Sequence, residues 1–162
     1  MVAEIVAQMI EYSNGNVHDI QHFIKVWGYA KTIGELEGLD ASAQLVLEAA
    51  AITHDIACPL LRQKYGSAAG HLQEKEGPAL AAAFLRHTGL TQQQIDRVAF
   101  LVGHHHTYGE LGQDHQILVE ADYLVNAEEN GYPPENLRNV CGQIFRTQTG
   151  IRLLKAIFSL GE

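Results

Sequence analysis

Histidine and aspartate occur in this sequence at points where side chains are expected to be buried. The 162 residues include nine histidines, more than an average composition would give. His22 lies within a long predicted helix, and the pair His54-Asp55 ends an apolar one. Asp122 interrupts the apolar segment 119–125. Burying such groups is costly unless they are paired or bind a cation. Neutral imidazole is the commonest metal ligand, so the pattern predicts a metal site with mixed donors that suit Zn, Fe, Mn, Co or Ni.

The apolar residues recur with helical spacing along most of the chain, and strand signals are nearly absent. This pattern predicts one all-α domain over residues 1–162, with about seven or eight helices and no internal boundary. The predicted helices are 2–12, 17–36, 41–56, 72–87, 92–103, one from 114 or 115 to 125, 134–145 and 149–160. Asp40 and Thr91 are expected to cap two of them. Residues 58–70 are predicted to be irregular, and Gly77-Pro78 is expected to interrupt helix 72–87.

The charge balance is acidic, with 11 lysine and arginine residues against 19 aspartate and glutamate residues and a formal net charge of −8. A domain that holds duplex DNA or RNA by its phosphates is usually basic, so this partner is not expected. A small anionic substrate remains compatible with the charge, because a bound metal ion inverts the local field.

The cysteine usage and the hydropathy pattern favour a cytoplasmic protein that is not anchored in a membrane. Cys58 and Cys141 are far apart and form no CxxC pair, which suits a reducing compartment. Residues 1–11 contain Glu4 and no basic segment, so they do not resemble a secretory signal. The longest uninterrupted apolar run is too short to span a bilayer.

The candidate ligands follow the order His22, then His54-Asp55, then Asp122. This order resembles that of the HD-domain phosphohydrolase superfamily, an all-α family whose ligands follow the order H, HD and D. Four local segments agree with it, DIQHFIKV at 19–26, AAAITHDI at 49–56, LVGHH at 101–105 and EADYL at 120–124. The resemblance covers roughly residues 17–127, which become the expected HD core, and leaves C-terminal helices at about 134–160.

The resemblance implies a metal-dependent phosphohydrolase that acts on a small phosphorylated substrate, with a nucleotide as the expected example. His22, His54, Asp55 and Asp122 would hold a divalent ion, whose identity among Mn, Fe, Co, Ni, Zn and Mg is left open. The ion would polarise a phosphoryl oxygen and activate a water molecule for attack on phosphorus. Asp55 and Lys25 are the expected catalytic residues, with Lys25 paired to Asp55 or to a phosphate.

A second metal ion is left open by the sequence. Family members with two ions use extra histidines between the HD pair and the last aspartate, one of them four residues before a helical glycine. Counting back from Gly77 gives Gln73 instead of histidine, although Glu74 offers a carboxylate beside it. His104 and His105 match the other extra position. Glu74, His104 and His105 are therefore candidates for a second ion or for the wall of the pocket.

The residues after the HD pair depart from the acidic pair that guanosine tetraphosphate hydrolases carry, because this chain has Ile-Ala-Cys-Pro at 56–59. That activity is therefore not expected, and no residue is assigned as the general acid. Arg62 and Lys64 follow closely and are candidates for binding a substrate phosphate. The alternative for both is ordinary surface charge.

Two other functions remain open at the level of sequence. The HD fold also carries di-iron oxygenases, which need six ligands, and Gln73 in place of histidine disfavours that interpretation. A non-catalytic module that binds a ligand and keeps a metal ion is the third hypothesis. The substrate, the number of metal ions and the oligomeric state are not determined by the sequence.

Overall fold

The fold is built from α-helices, as the apolar periodicity predicts, and the all-α prediction is confirmed. The computed structural model describes residues 1–161. Within that range, an isolated bridge between Cys141 and Phe145 is the only pairing of extended backbone. The helices are α1 (Val2–Tyr12), α2 (Val17–Leu36), α3 (Ala41–Thr53), α4 (Cys58–Tyr65), α5 (Gly70–Leu85), α6 (Gln92–Val102), α7 (Gln113–Glu129), α8 (Pro134–Val140) and α9 (Gln148–Ile157).

Helices α3 and α7 lie at the centre of the core. α3 packs against α1, α2, α6 and α7, and every residue from Val46 to Thr53 is buried. The stretch Ala41–Tyr65 is long enough to cross a membrane, with a mean hydropathy of 1.2, but 72% of that apolar window is buried inside the fold. Its apolar character is therefore explained by its central position in the core. α7 packs against α2, α3 and α9.

Side-chain caps fix the residues at which three core helices begin. Asn16 accepts the backbone N–H of Asp19 at the start of α2. Asp40 accepts two backbone N–H groups at the start of α3, and Thr91 forms a capping box with Gln94 at the start of α6. The caps predicted at Asp40 and Thr91 are confirmed. Each cap satisfies donors that the first helical turn leaves free and so sets the register of the helix.

Residues 58–65 form α4, so the prediction of an irregular segment is wrong there. Pro59 lies in the first turn, where its missing N–H removes no helical hydrogen bond. Gly66 ends the helix with a φ of 70°, a backbone conformation that glycine adopts without steric cost. α4 therefore follows the HD pair directly and carries Arg62 and Lys64 on a regular element.

Helix α5 runs without interruption through Gly77-Pro78, so the predicted break is also wrong. Proline inside a helix normally costs stability, because it removes a hydrogen bond and crowds the preceding turn. Here tight packing against α6 retains the helix. A Cβ at Gly77 would lie 2.8 Å from Cγ1 of Val102, and a Cβ at Gly103 would lie 2.8 Å from Cγ of Pro78. This crossing places α5 beside the turn that follows α6.

Glu120 of α7 holds the C-terminal segment against the core. Its buried carboxylate accepts the backbone N–H of Arg146 at 2.7 Å and that of Thr147 at 2.9 Å. Gly150 packs directly on the same carboxylate and leaves no room for a Cβ. α8 ends at Val140, before the predicted end at 145, and the segment that follows is the one bound to Glu120.

Candidate metal centre

Three buried side chains from different parts of the fold meet at one point. His22 belongs to α2, His54 directly follows α3, and Asp122 belongs to α7. Nε2 of His22 lies 3.2 Å from Nε2 of His54 and 3.2 Å from Oδ1 of Asp122. Nε2 of His54 lies 3.4 Å from the same oxygen. One ligand atom from each residue is therefore within reach of a single ion.

Asp55 joins the group from the side that faces solvent. Its Oδ2 lies 3.6 Å from Nε2 of His22 and 3.7 Å from Nε2 of His54. The Asp55 side chain keeps 29% exposure, whereas the side chains of the other three residues keep 9% or less. The structure thus brings together all four residues predicted as metal ligands, with Asp55 as the most accessible of them.

In both histidine rings Nε2 faces the cluster, and Nδ1 forms a hydrogen bond outside it. Nδ1 of His22 lies 2.8 Å from Oε2 of Glu129, and Nδ1 of His54 lies 2.8 Å from the carbonyl oxygen of Ala51. The carboxylate and the carbonyl can only accept, so a neutral ring carries its proton on Nδ1. Nε2 of each neutral ring is then free to bind a cation.

The spacing of these atoms fits a metal ion. Bond lengths of about 2.0–2.2 Å place neighbouring ligand atoms roughly 2.8–3.6 Å apart in tetrahedral or octahedral geometry. The distances within the cluster, 3.2 Å to 3.7 Å, agree with this range or exceed it slightly. Lone pairs held so close together repel one another unless a cation or a proton lies between them. The donor set therefore suits a divalent ion.

The carboxylates make the cluster strongly favourable for positive charge. Burial lowers the pKa of His22, but the hydrogen bonds and charges of Asp122, Asp55 and Glu129 outweigh burial and raise this pKa to about 9. Burial also tends to raise the pKa of Asp122, yet His22 and His54 hold it well below its usual value. A site that stabilises a proton this strongly is electrostatically prepared for a metal cation.

The pattern of the HD domain family matches residues 19–127, which include all four clustered residues. This chain belongs to the HD-domain family. HD domains bind divalent metals, which agrees with the donor set of the cluster. No match is found among curated proteins.

A solved structure shares the architecture of this HD domain. It is the crystal structure of a predicted HD superfamily hydrolase from an uncultured Thermotogales bacterium. The two chains align with a TM-score of 0.68 and 22% sequence identity, over 98% of this chain and 83% of the other. The similarity therefore extends beyond the HD core to include the C-terminal helices.

Helix α7 also supplies two side chains that hydrogen-bond to clustered residues and that the sequence analysis did not identify. Nδ2 of Asn126 donates to Oδ1 of Asp122 at 2.9 Å, and Glu129 accepts the hydrogen bond from Nδ1 of His22. These residues follow Asp122 by four and seven positions, so all three lie on one face of the helix. That spacing is the sequence signal that could have identified them.

His105 lies on the other side of Asp55 and contacts an amide rather than a further carboxylate. Its Nε2 lies 3.6 Å from Oδ1 of Asp55 and 3.1 Å from Oε1 of Gln73. Nε2 of His106 lies 2.9 Å from the same amide oxygen. Gln73 donates in turn to the carbonyl oxygen of Ala68 at 2.6 Å, which fixes the orientation of its amide. His105 therefore lies beside the HD pair, in contact with Gln73.

Glu74 and His104, the other two candidates for a second ion, lie away from the four-residue cluster. Glu74 accepts the backbone N–H of His106 at 3.1 Å and the hydroxyl of Thr107 at 3.2 Å, so it stabilises the turn after α6. His104 is exposed, stacks on Phe100 and directs Nδ1 to the carbonyl oxygen of Phe100 at 2.7 Å. The expectation that His104 faces the pocket is corrected by this orientation.

The basic candidates are engaged by carboxylates or lie on the surface. Nζ of Lys25 lies 2.7 Å from Oε2 of Glu128 and 2.8 Å from Oε1 of Glu129, which corrects the expected pairing with Asp55. Arg62 forms an ion pair with Asp19. Nζ of Lys64 lies 5.1 Å from the ring centroid of Tyr65. A role for Arg62 or Lys64 in binding phosphate stays a prediction.

Proposed function

We propose that this HD domain is a metal-dependent phosphohydrolase of a small phosphoester, with a nucleotide as the expected substrate. The observation that carries the proposal is the convergence of His22, His54, Asp55 and Asp122 on one point. The description of the Thermotogales relative as a predicted HD superfamily hydrolase supports the same reaction class. At 22% identity that relative supports the fold directly and the reaction only by analogy.

The four residues would hold a divalent ion drawn from Mn, Fe, Co, Ni, Zn and Mg. Such an ion, when bound, supplies a Lewis acid for a phosphoryl oxygen and lowers the pKa of water to make a nucleophile. His22, His54 and Asp122 are buried, so they would fix the position of the ion. Asp55 would be the ligand that substrate can approach, because it keeps the largest exposed fraction.

Asp55 is expected to orient the attacking water and accept its proton. Burial raises the pKa of this carboxyl, but His54 and His105 outweigh burial and hold the pKa below its usual value. The group is therefore ionised at neutral pH and can act as an acceptor but not as a general acid. Nε2 of His105 lies 3.6 Å from Oδ1, the oxygen of the carboxylate that faces away from His22 and His54.

Tyr108 supports a nucleotide as the substrate. It follows the turn that Glu74 anchors, and its side chain is 54% exposed. Partial burial, with a smaller contribution from the charge of Asp122, raises the pKa of its phenol. An exposed aromatic ring in this position offers a surface on which a planar base can stack.

The composition supports the remaining parts of the proposal. The net charge of −8 disfavours duplex nucleic acid as a partner. Both cysteines are free, which suits a cytoplasmic protein. We extend the proposal to a cytoplasmic enzyme that acts on a small molecule and not at a membrane.

The test starts from protein prepared without a histidine tag and stripped of metal. Each of the six ions is added back, and phosphate release is measured over nucleotides and sugar phosphates. We expect turnover that depends on one or a few ions and is lost in Asp55→Ala, whereas Asp96→Ala on the exposed face of α6 stays active. Equal background rates and equal metal content in wild type and Asp55→Ala would contradict the proposal.

The same preparation separates the two alternative functions. Oxygen consumption with iron and a reductant, without phosphate release, would favour a di-iron oxygenase. Full metal occupancy and thermal stabilisation by a nucleotide, without any turnover, would favour a non-catalytic binding module. The di-iron alternative is disfavoured, because the Gln73 amide stands beside His105 where a further ligand would be needed.

A further inference from the structure

Both oxygens of Glu129 are used to join α2 to α7 behind the metal centre. Oε2 lies 2.8 Å from Nδ1 of His22, and Oε1 lies 2.8 Å from Nζ of Lys25. The Glu129 side chain is 15% exposed and that of His22 is 7% exposed. The contacts are therefore shielded from solvent on the side of the cluster that faces away from Asp55.

The contact with Glu129 decides which nitrogen of His22 faces the cluster. A carboxylate can only accept, so the ring must carry a proton on Nδ1 and present Nε2 to His54 and Asp122. Without that acceptor, the ring could exchange its tautomer or rotate. Either change would remove one of the three buried ligand atoms from the metal site. Hydrogen-bonded carboxylates behind a ligand histidine commonly orient the ring and raise its basicity.

Lys25 holds Glu129 in place. It lies three residues after His22 on the same face of α2, so its side chain reaches the end of α7 alongside the ligand. Its Nζ lies 2.8 Å from Oε1 of Glu129, the oxygen that His22 does not use. Lys25 also binds Glu128, at 2.7 Å, on the exposed side of the helix.

We infer that Glu129 is a positioning residue that fixes His22 as an Nε2 metal ligand, and that Lys25 fixes Glu129. The inference rests on the metal centre of the proposed function and concerns no group that touches substrate. It assigns to Lys25 a place behind the ligand rather than beside the reacting phosphate. It also distinguishes Glu129 from Glu128, because Glu128 is 59% exposed and contacts Lys25 without contacting His22.

The test measures metal affinity by competition with a chelator, using Zn²⁺ or Mn²⁺ alone. We expect Glu129→Leu to weaken binding about 10- to 100-fold, the range usual for loss of such a partner. Glu129→Gln keeps an acceptor and should recover part of the loss. Lys25→Met should give an intermediate loss, and the matched control Glu128→Leu should stay within about twofold of wild type. Circular dichroism melts establish that each variant is folded.

A second readout follows the tautomer of His22 directly by ¹⁵N–¹H correlation spectra. The wild-type ring should carry its proton on Nδ1 in the metal-loaded protein, and so should the neutral ring of the metal-free protein. Glu129→Leu should give a mixture of tautomers, and Glu128→Leu should not. Unchanged affinity and an unchanged tautomer in folded Glu129→Leu would overturn the inference, as would an equal loss in Glu128→Leu. If wild type binds no metal, the proposed function fails, and the metal-free spectra still decide the role of Glu129.

Discussion

Oδ1 of Asp55 lies 3.6 Å from Nε2 of His105, while Oδ2 of the same carboxylate faces Nε2 of His22 at 3.6 Å. One carboxylate therefore lies between the His22–His54–Asp122 cluster and the Gln73–His105 pair. In the proposed enzyme Asp55 would have two roles, because one oxygen would bind the ion while the other would direct water or substrate. Asp122, by contrast, lies 3.2 Å and 3.4 Å from two ligand nitrogens and is almost fully buried.

The difference between the two aspartates predicts a split between binding and turnover. Asp122→Asn should abolish tight metal binding, because it removes the buried charge nearest to both imidazoles. Asp55→Asn should retain much of the metal affinity but lower kcat by about 10²- to 10⁴-fold, the usual effect of losing a catalytic base. Metal titration and steady-state phosphate release measure the two quantities separately. Equal losses of affinity in both variants would contradict the division of roles.

Gln73 predicts how many ions the protein holds. Its amide oxygen faces Nε2 of His105 and Nε2 of His106, where a second ion would need a stronger ligand. Elemental analysis of wild type should give about one ion per chain. Gln73→His should raise the ratio towards two, because an imidazole would join His105 and Oδ1 of Asp55. Gln93→His, on the exposed face of α6, is the matched control and should leave the ratio unchanged.

The raised pKa of His22 predicts that a rise in pH lowers the stability of the metal-free protein and raises its affinity for metal. This pKa is about 9 in the fold, above the ordinary value of 6.5. The protonated ring therefore stabilises the metal-free fold fully below pH 6.5, and this contribution is lost as the pH rises to about 9. Metal must displace that proton, so metal affinity should rise by up to about tenfold per pH unit over the same window.

Thermal melts between pH 6 and pH 9.5, with and without Zn²⁺, measure both effects. The melting temperature of the metal-free protein should fall as the pH rises. The increase in melting temperature that Zn²⁺ causes should become larger over the same range. His22→Asn should weaken both dependences and leave a remainder from His54, whose pKa Asp55 and Asp122 also raise, whereas the exposed variant His87→Asn should keep them in full. A metal-induced increment that is constant with pH would show that His22 holds no proton for the ion to displace.

The sequence predicts the residues that cluster better than it predicts their surroundings, for a physical reason. His22, His54, Asp55 and Asp122 are recognisable because polar groups within apolar helices stand out, and because their order is that of a family. The position of Lys25 depends on which side chain of α7 meets α2, and that contact joins residues more than 100 positions apart. Local spacing contains no information about it, so the pairing expected with Asp55 was replaced by Glu128 and Glu129.

The errors in helix boundaries have a similar origin. α5 continues through Gly77-Pro78 because Val102 and Gly103 of a neighbouring segment pack on it, and tertiary packing here outweighs the local preference for a break. α4 differs, because its start at Pro59 and its end at Gly66 follow known signals. Those signals could have been used, whereas the continuity of α5 could not have been inferred without the fold.

The contacts of Glu120 predict that its substitution greatly lowers the stability of the fold without changing any of the predicted metal ligands. Its buried carboxylate accepts two backbone N–H groups and the side chain of Gln116 at 2.8 Å. Glu120→Ala leaves those donors without an acceptor and should lower the free energy of unfolding by about 3 kcal/mol. Urea denaturation measures the loss, and Glu135→Ala on exposed α8 should change stability by less than about 0.5 kcal/mol. Similar stabilities in the two variants would mean that Glu120 does not anchor the C-terminal segment.

Tyr108 predicts discrimination between substrates with and without a planar base. Stacking on an aromatic side chain contributes about 1–3 kcal/mol per base, so Tyr108→Leu should raise KM for a nucleoside monophosphate by about 5- to 150-fold. KM for ribose 5-phosphate should stay unchanged, because that substrate has no ring to stack. Tyr12→Leu is the matched control, since Tyr12 is also exposed but packs on Phe84 in another part of the fold. An equal rise in KM for both substrates would assign Tyr108 to the shape of the loop rather than to recognition of the base.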